Sequence, residues 1–168
     1  KRTRASIAAE KGLKPLAESI MSGRCQDPAR EAQRFVNKDV PDADEALKGA
    51  SDIIAEQVSE NARVRQTLRD SYLKGGAVSS KLSKEGASNE EESDRYRNWF
   101  DHKEPLYRVA SHRLLALLRG ASTGMLTVHV EMDAERTVGK IENIVMRDIR
   151  NLSPACRGLI SCAVKDSY

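Results

Sequence analysis

A chain of 168 residues is long enough to bury a real core, and its 39% hydrophobic, 32% charged and 4% aromatic content suits an aliphatic, helix-rich protein better than a β-sandwich. The formal charge of +3, from 28 basic and 25 acidic residues, excludes a uniformly basic nucleic-acid arm. No apolar run approaches the roughly 18 residues of a membrane span, so no membrane partner is expected.

The N-terminal Lys1-Arg2-Thr3-Arg4 lacks the apolar core of a secretory signal. Cys25, Cys156 and Cys162, odd in number and widely spaced, make no disulfide framework. Together these point to a cytoplasmic protein. The chain starts without Met and reaches Tyr168 inside a helical pattern, which reads as an excised fragment.

Residues 1–22 read as two short helices, the first opened by Thr3 or Ser6 and closed by Gly12, the second running from Leu13 to Met21 and closed by Gly23. Ile7, Ala8, Leu13, Leu16, Ile20 and Met21 fall on one side. Lys1, Arg2, Arg4, Lys11 and Lys14 make this the most basic end of the chain. They form either a phosphate-facing patch or a solvated helix face, and the solvated face is the commoner use of such charges.

Asp27-Pro28 is an N-cap followed by proline at the first helical position, so Ala29 to Val36 is expected as a helix with Phe35 and Val36 inward. A turn follows at Asn37 to Val40. From Pro41-Asp42 to Glu60 runs the longest helical pattern, with Ala46, Leu47, Ala50, Ile53, Ile54, Gln57 and Val58 at helical spacing. Ala62 to Leu73 forms the next helix, turning Val64, Leu68 and Tyr72 inward, and Gly75-Gly76 stops it.

Residues 77–83 alternate weakly as a strand, and Lys84 to Asn89 read as a polar loop. The run Glu90-Glu91-Glu92 with Asp94 suits the first turn of a helix from about Ser88 to Phe100, whose Tyr96, Trp99 and Phe100 would cover the core. The alternative, a metal or basic-partner site on residues 90–94, is the costlier explanation of the same charges.

The highest apolar density lies at Glu104 to Gly120. Ser111 stands where an N-cap should, Leu114, Leu115, Leu117 and Leu118 supply a wide apolar face, and Gly120 stands as a left-handed stop. This leucine helix is expected to be the buried hub around which the other helices pack. His112 and Arg113 at its start either grip an anion or tie down the preceding loop, the latter being the commoner arrangement. Residues 125–131 carry the best strand signal, expected to pair with 77–83 as a two-stranded ribbon. Asp133 then caps a helix from Ala134 to Met146, with Val138, Ile141, Ile144 and Val145 inward, and Ser153-Pro154 opens a last helix.

The fold expected is therefore mainly α, an irregular multi-helix bundle with at most a two-stranded ribbon, and a subdivision into 1–76 and 77–168 is allowed. Catalytic signatures are missing. No phosphate loop, nucleophile elbow or dinucleotide fingerprint occurs, and His102, His112 and His129 show no metal-ligand spacing with one another or with cysteine. Cys156 and Cys162 share one helix without a neighbouring base and read as buried small hydrophobes. No enzyme activity, metal or cofactor is expected on this pattern.

Several stretches nonetheless carry a resemblance. Lys1 to Ala8, Lys11-Gly12-Leu13, Pro15-Leu16-Ala17, Val40-Pro41-Asp42-Ala43, Ala46 to Ala50 and Asp52 to Glu56 are similar to the N-terminal half of Tex, the bacterial transcription accessory protein. So are Tyr96 to Phe100, Glu104-Pro105-Leu106, Ser111 to Gly120 and Gly124-Met125-Leu126. The likeness is collinear over residues 1–132.

Tex-like proteins hold a helix-turn-helix, a ribonuclease-H-like domain, helix-hairpin-helix elements and a C-terminal S1 domain that binds nucleic acid. The resemblance implies a segment between the helix-turn-helix and the ribonuclease-H-like domain, without the S1 domain. It implies a non-catalytic helical scaffold of a nucleic-acid-binding protein, RNA or DNA being held mainly by domains outside this segment. Its own contribution to that contact would come from Lys1, Arg2, Arg4, Lys11, Lys14 and Arg113. The alternative is a protein-interaction module that faces RNA polymerase or other transcription factors through residues 90–94.

Overall fold

A computed structural model describes Lys1 to Tyr168. Its helices are α1 (Arg4–Glu10), α2 (Lys14–Met21), α3 (Pro28–Ala32), α4 (Ala43–Glu60), α5 (Ala62–Gly75), α6 (Lys84–Ser88), α7 (Glu90–Ser93), α8 (Ser111–Ser122), α9 (Ala134–Met146) and α10 (Pro154–Ser167). Three strands accompany them: β1 (Ala77–Leu82), β2 (Asp101–Pro105) and β3 (Leu126–Glu131). The fold is mainly α, with a three-stranded antiparallel sheet in place of the expected ribbon. No helix is long and apolar enough to cross a membrane.

The chain forms two compact units, Lys1–Thr67 with Val138–Tyr168, and Leu68–Thr137. In the first, α1, α2, α3 and α10 pack against α4. Local signals set the ends of these helices. Thr3 and Ser6 form a reciprocal capping box at α1, Gly12 and Gly23 take the left-handed conformation after α1 and α2, and Ser153 caps α10. Asp42 caps α4 by accepting from the amide of Glu45 at 2.8 Å, and Asn61 both ends α4 and accepts from the first amides of α5. Helix α4 buries Ala46, Gly49, Ala50, Ile53, Ile54, Ala55 and Val58, more than any other helix. It is the hub, and the leucine helix is not.

In the second unit β1 lies between β2 and β3, with Ala77 opposite both Pro105 and Glu131 and with Lys81 opposite Asp101 and Thr127. Val78, Leu117 and Leu126 form its core, closed over by Tyr96, Trp99, Phe100, Leu106, Val109 and Val128. Helix α8 starts after Ala110 with no side-chain cap and runs through Gly120 to Ser122, so Ser111 and Gly120 are ordinary helical positions. The left-handed residue is Gly124. Gly120 is there for packing, since a Cβ on it would collide with the side chain of Leu126. Of the four leucines only Leu117 is fully buried; Leu115 and Leu118 are exposed, because a single helix laid on a small sheet can bury only one side.

Other expectations are corrected as well. Residues 84–88 are helical, since Ser83 accepts from the amide of Gly86 and donates to the carbonyl of Gly124. The helix expected from Ser88 to Phe100 is only α7 followed by a 3-10 stretch over Asp94–Trp99, broken at Tyr96. The chain must leave the helix there so that residue 101 enters the sheet. The strand β2 was hidden because Asp-His-Lys-Glu-Pro has neither alternation nor β-branched residues; it is an edge strand of the charged kind that discourages further pairing. The helix opened by Pro28 stops at Ala32 and tightens into a 3-10 turn over Gln33–Phe35, which leaves Val36 exposed.

Candidate nucleic-acid interface

The basic N-terminal end is built by α1 and the start of α2. The capping box at Thr3 fixes where Arg4 leaves the backbone, and Gly12 turns the chain so that Lys14 opens α2. Arg2 pairs with Glu10 at 2.7 Å, eight residues on. Arg4 reaches Asp166 on α10 at 2.9 Å and Asp52 on α4 at 3.8 Å. Thr3 also donates from Oγ1 to Glu56 Oε1 at 3.0 Å. These contacts join α1, α4 and α10.

Arg4 and Lys11 share a cleft of about 210 Å³ whose floor is Ile7, Ala8, Leu13 and Val40. Lys48 adds a third cation and Asp39, Glu45 and Asp52 add three carboxylates, so the cleft is charge-balanced. Lys1 and Lys14 are exposed. Arg113 lies in the other unit, where it donates to Glu104 Oε1 at 3.2 Å and to the carbonyl of Arg108 at 3.1 Å, tying strand and turn to α8. The carboxylates of the cleft escaped the sequence reading although a signal was available. Glu45, Lys48 and Asp52 follow one another at helical spacing on α4 and hence share a face.

Other chemistry-bearing groups are scattered. His102 on β2 lies 3.2 Å from Glu104 Oε2 with its ring edge-on to Trp99, His112 is exposed on α8, and His129 is on β3. No three His, Cys, Asp or Glu side chains converge as a metal-ligand set.

The buried polar cluster of the first unit is cysteine-centred. Cys156 donates from Sγ to the carbonyl of Cys25 at 3.1 Å, and both residues are fully buried. Burial, first, and donation to the Glu31 carboxylate push the Cys25 thiol well above the ordinary thiol range. Such a thiol is inert. Cys162, expected to be buried, is exposed instead. A thiol reagent such as DTNB should therefore modify Cys162 alone in the native chain, and all three cysteines after denaturation. Rapid native reaction of a second thiol would contradict the burial of Cys25 and Cys156.

Glu31 is held below the usual carboxylate range chiefly by a hydrogen bond from Ser19 and then by that from Cys25. A carboxylate depressed on folding adds stability above its unfolded value, near 4.5, and loses it as pH falls through the native value. Glu31→Gln should accordingly show a shallower loss of stability between about pH 6 and pH 3 than the parent chain, measured by urea unfolding. Parallel curves for the two would exclude this role.

Residues 24–154 match the family model described as Tex central region-like. The chain is 40% identical to Protein tex of Bordetella pertussis over 137 residues, covering 80% of this chain and 17% of that protein. It is 36% identical to the transcriptional accessory protein Tex of Neisseria gonorrhoeae, covering 82% of this chain and 18% of that one. Protein YhgF of Escherichia coli is 37% identical over 80% of this chain and 17% of its own length. The chain thus spans less than a fifth of the length of these relatives.

Proposed function

Since the chain belongs to the Tex family, we propose that it is a non-catalytic helical scaffold segment of a Tex-like transcription accessory protein. On this reading it lies between a helix-turn-helix and a ribonuclease-H-like domain, and nucleic acid is held mainly by other domains. The observation that supports it is the fate of the basic end. Arg2, just before α1, is paired with Glu10 of that helix, and Arg4 pairs with Asp52 and Asp166, so that Arg4 joins α1 to α4 and α10 within the segment.

Any contact of the segment itself with RNA or DNA then rests on Lys1, Lys11 and Lys14. Three lysines without base readout give weak binding that falls with salt, with a log–log slope of about 2 to 3. Fluorescence anisotropy with a labelled single-stranded oligonucleotide tests this. Submicromolar binding insensitive to salt would overturn the scaffold reading.

A second reading, a module that meets RNA polymerase or another transcription factor, is favoured by one feature. Leu82, Ala87 and Phe100 line a cleft of about 790 Å³ that Glu90 and Glu91 border, beside Asp94 paired with Arg97. Glu90→Lys with Glu91→Lys should abolish capture of such a partner, and unchanged capture would dismiss the acidic face.

A further inference from the structure

Helix α8 carries an apolar surplus. Its inner side is accounted for, Leu117 and Gly120 meeting the sheet, but Leu115 and Leu118 on the other side are 55% and 52% exposed. Single exposed leucines are ordinary on a protein surface. Two of them at i and i+3 on one helix make a ridge, the shape that fits a groove on a second helix.

The polar neighbours of that ridge are an arginine and a histidine, with no carboxylate between them. His112, three residues before Leu115, and Arg119, four after it, are both exposed on the same side. No Asp or Glu occurs anywhere on α8, and Arg119 has no carboxylate partner in the chain. Arg113, the other cation of the helix, is turned inward and held by Glu104. An aliphatic ridge beside an unmatched guanidinium calls for an occupant with apolar residues at helical spacing and carboxylates at its flank.

We infer that the outer face of α8 docks an acidic amphipathic helix of a partner protein, whose apolar residues cover Leu115 and Leu118 and whose carboxylates meet Arg119 and the imidazole of His112. Nucleic acid fits this face less well. Strands bound without base pairing need aromatic platforms for stacking, and α8 carries no Phe, Tyr or Trp. The inference goes beyond the scaffold reading and stands whether or not the segment touches RNA or DNA.

The test is fluorescence anisotropy of the whole 168-residue chain with a labelled helical peptide of about 18 residues, leucine at every third or fourth position and glutamate beside it. A counterpart carries lysine in place of each glutamate. The glutamate peptide is expected to bind at least about tenfold more tightly at low salt. Leu115→Ser combined with Leu118→Ser should weaken that binding by about tenfold or more, and Arg119→Glu should turn the preference toward the lysine peptide. All three positions are exposed, so circular dichroism and melting of the variants should match those of the parent.

Equal binding of the two peptides overturns the inference, as does undiminished binding by the double-serine variant. A dimer in sedimentation that the same double substitution dissolves would make a second copy the occupant and overturn it too. So would displacement of the glutamate peptide by a single-stranded oligonucleotide.

Discussion

Ile54→Ala is expected to lower the unfolding free energy of the first unit by about 2–5 kcal/mol, the cost of removing a large aliphatic side chain from a site that cannot collapse around the loss. Ile54 has no exposed surface and sits on α4, the helix against which α1, α2, α3 and α10 all pack. Urea unfolding followed by circular dichroism measures the change. Leu73→Ala, at a position 63% exposed, is the control and should stay within about 0.5 kcal/mol of the parent. If Ile54→Ala were as mild as the control, α4 would not be the element that holds this unit together. Should the two units melt separately, only the transition of residues 1–67 and 138–168 should move.

Gly23→Ala should be the most damaging of the simple backbone substitutions. At φ +77° an L side chain costs about 1–2 kcal/mol by itself. A Cβ there would also collide with the carbonyl oxygen of Arg150 and press on Ile149 at 3.1 Å, and backbone cannot swing aside as a side chain can. The total should reach about 3 kcal/mol or more, the range of severe core defects. Gly12→Ala separates the two causes. Gly12 has φ +83° but nothing within 4 Å of the added atom, so its replacement should cost only the conformational part, about 1–2 kcal/mol. Equal losses at the two sites, read as urea midpoints, would mean that the 149–150 turn does not lie against Gly23.

The readings that held were those whose cause lies within a few residues. Thr3, Asp27, Asp42, Asp133 and Ser153 each accept from a backbone amide three residues on, and each opens a helix where its residue type and spacing predict one. The pairing of 77–82 with 126–131 was legible from alternation in each stretch. Corrections came where a local pattern met a long-range demand. Gly120 has the residue type of a helix stop, but the helix runs on through it, and the glycine serves instead to leave Leu126 the space that a Cβ would fill. Tyr96, Trp99 and Phe100 have helical spacing, but the backbone around them bends so that β2 can pair with β1.

The candidate site divides in the same way. Its basic residues could be named from composition alone, whereas their neutralisation could not. Arg4 and Asp166 stand 162 residues apart, and Thr3 and Glu56 stand 53 apart. No periodicity links such pairs.

By itself, then, the sequence determined the helical class, most helix boundaries and two of the three strands, since caps, left-handed glycines and hydrophobic period act over one or two turns of chain. Only the tertiary structure decided that α4 and not α8 is the hub, that Leu117 is buried while Leu115 and Leu118 face outward, and that Arg4 finds its carboxylate partners on α4 and α10. Those outcomes depend on which surfaces the packed chain brings together. An apolar or charged residue records its need for a partner but not where along the chain that partner lies.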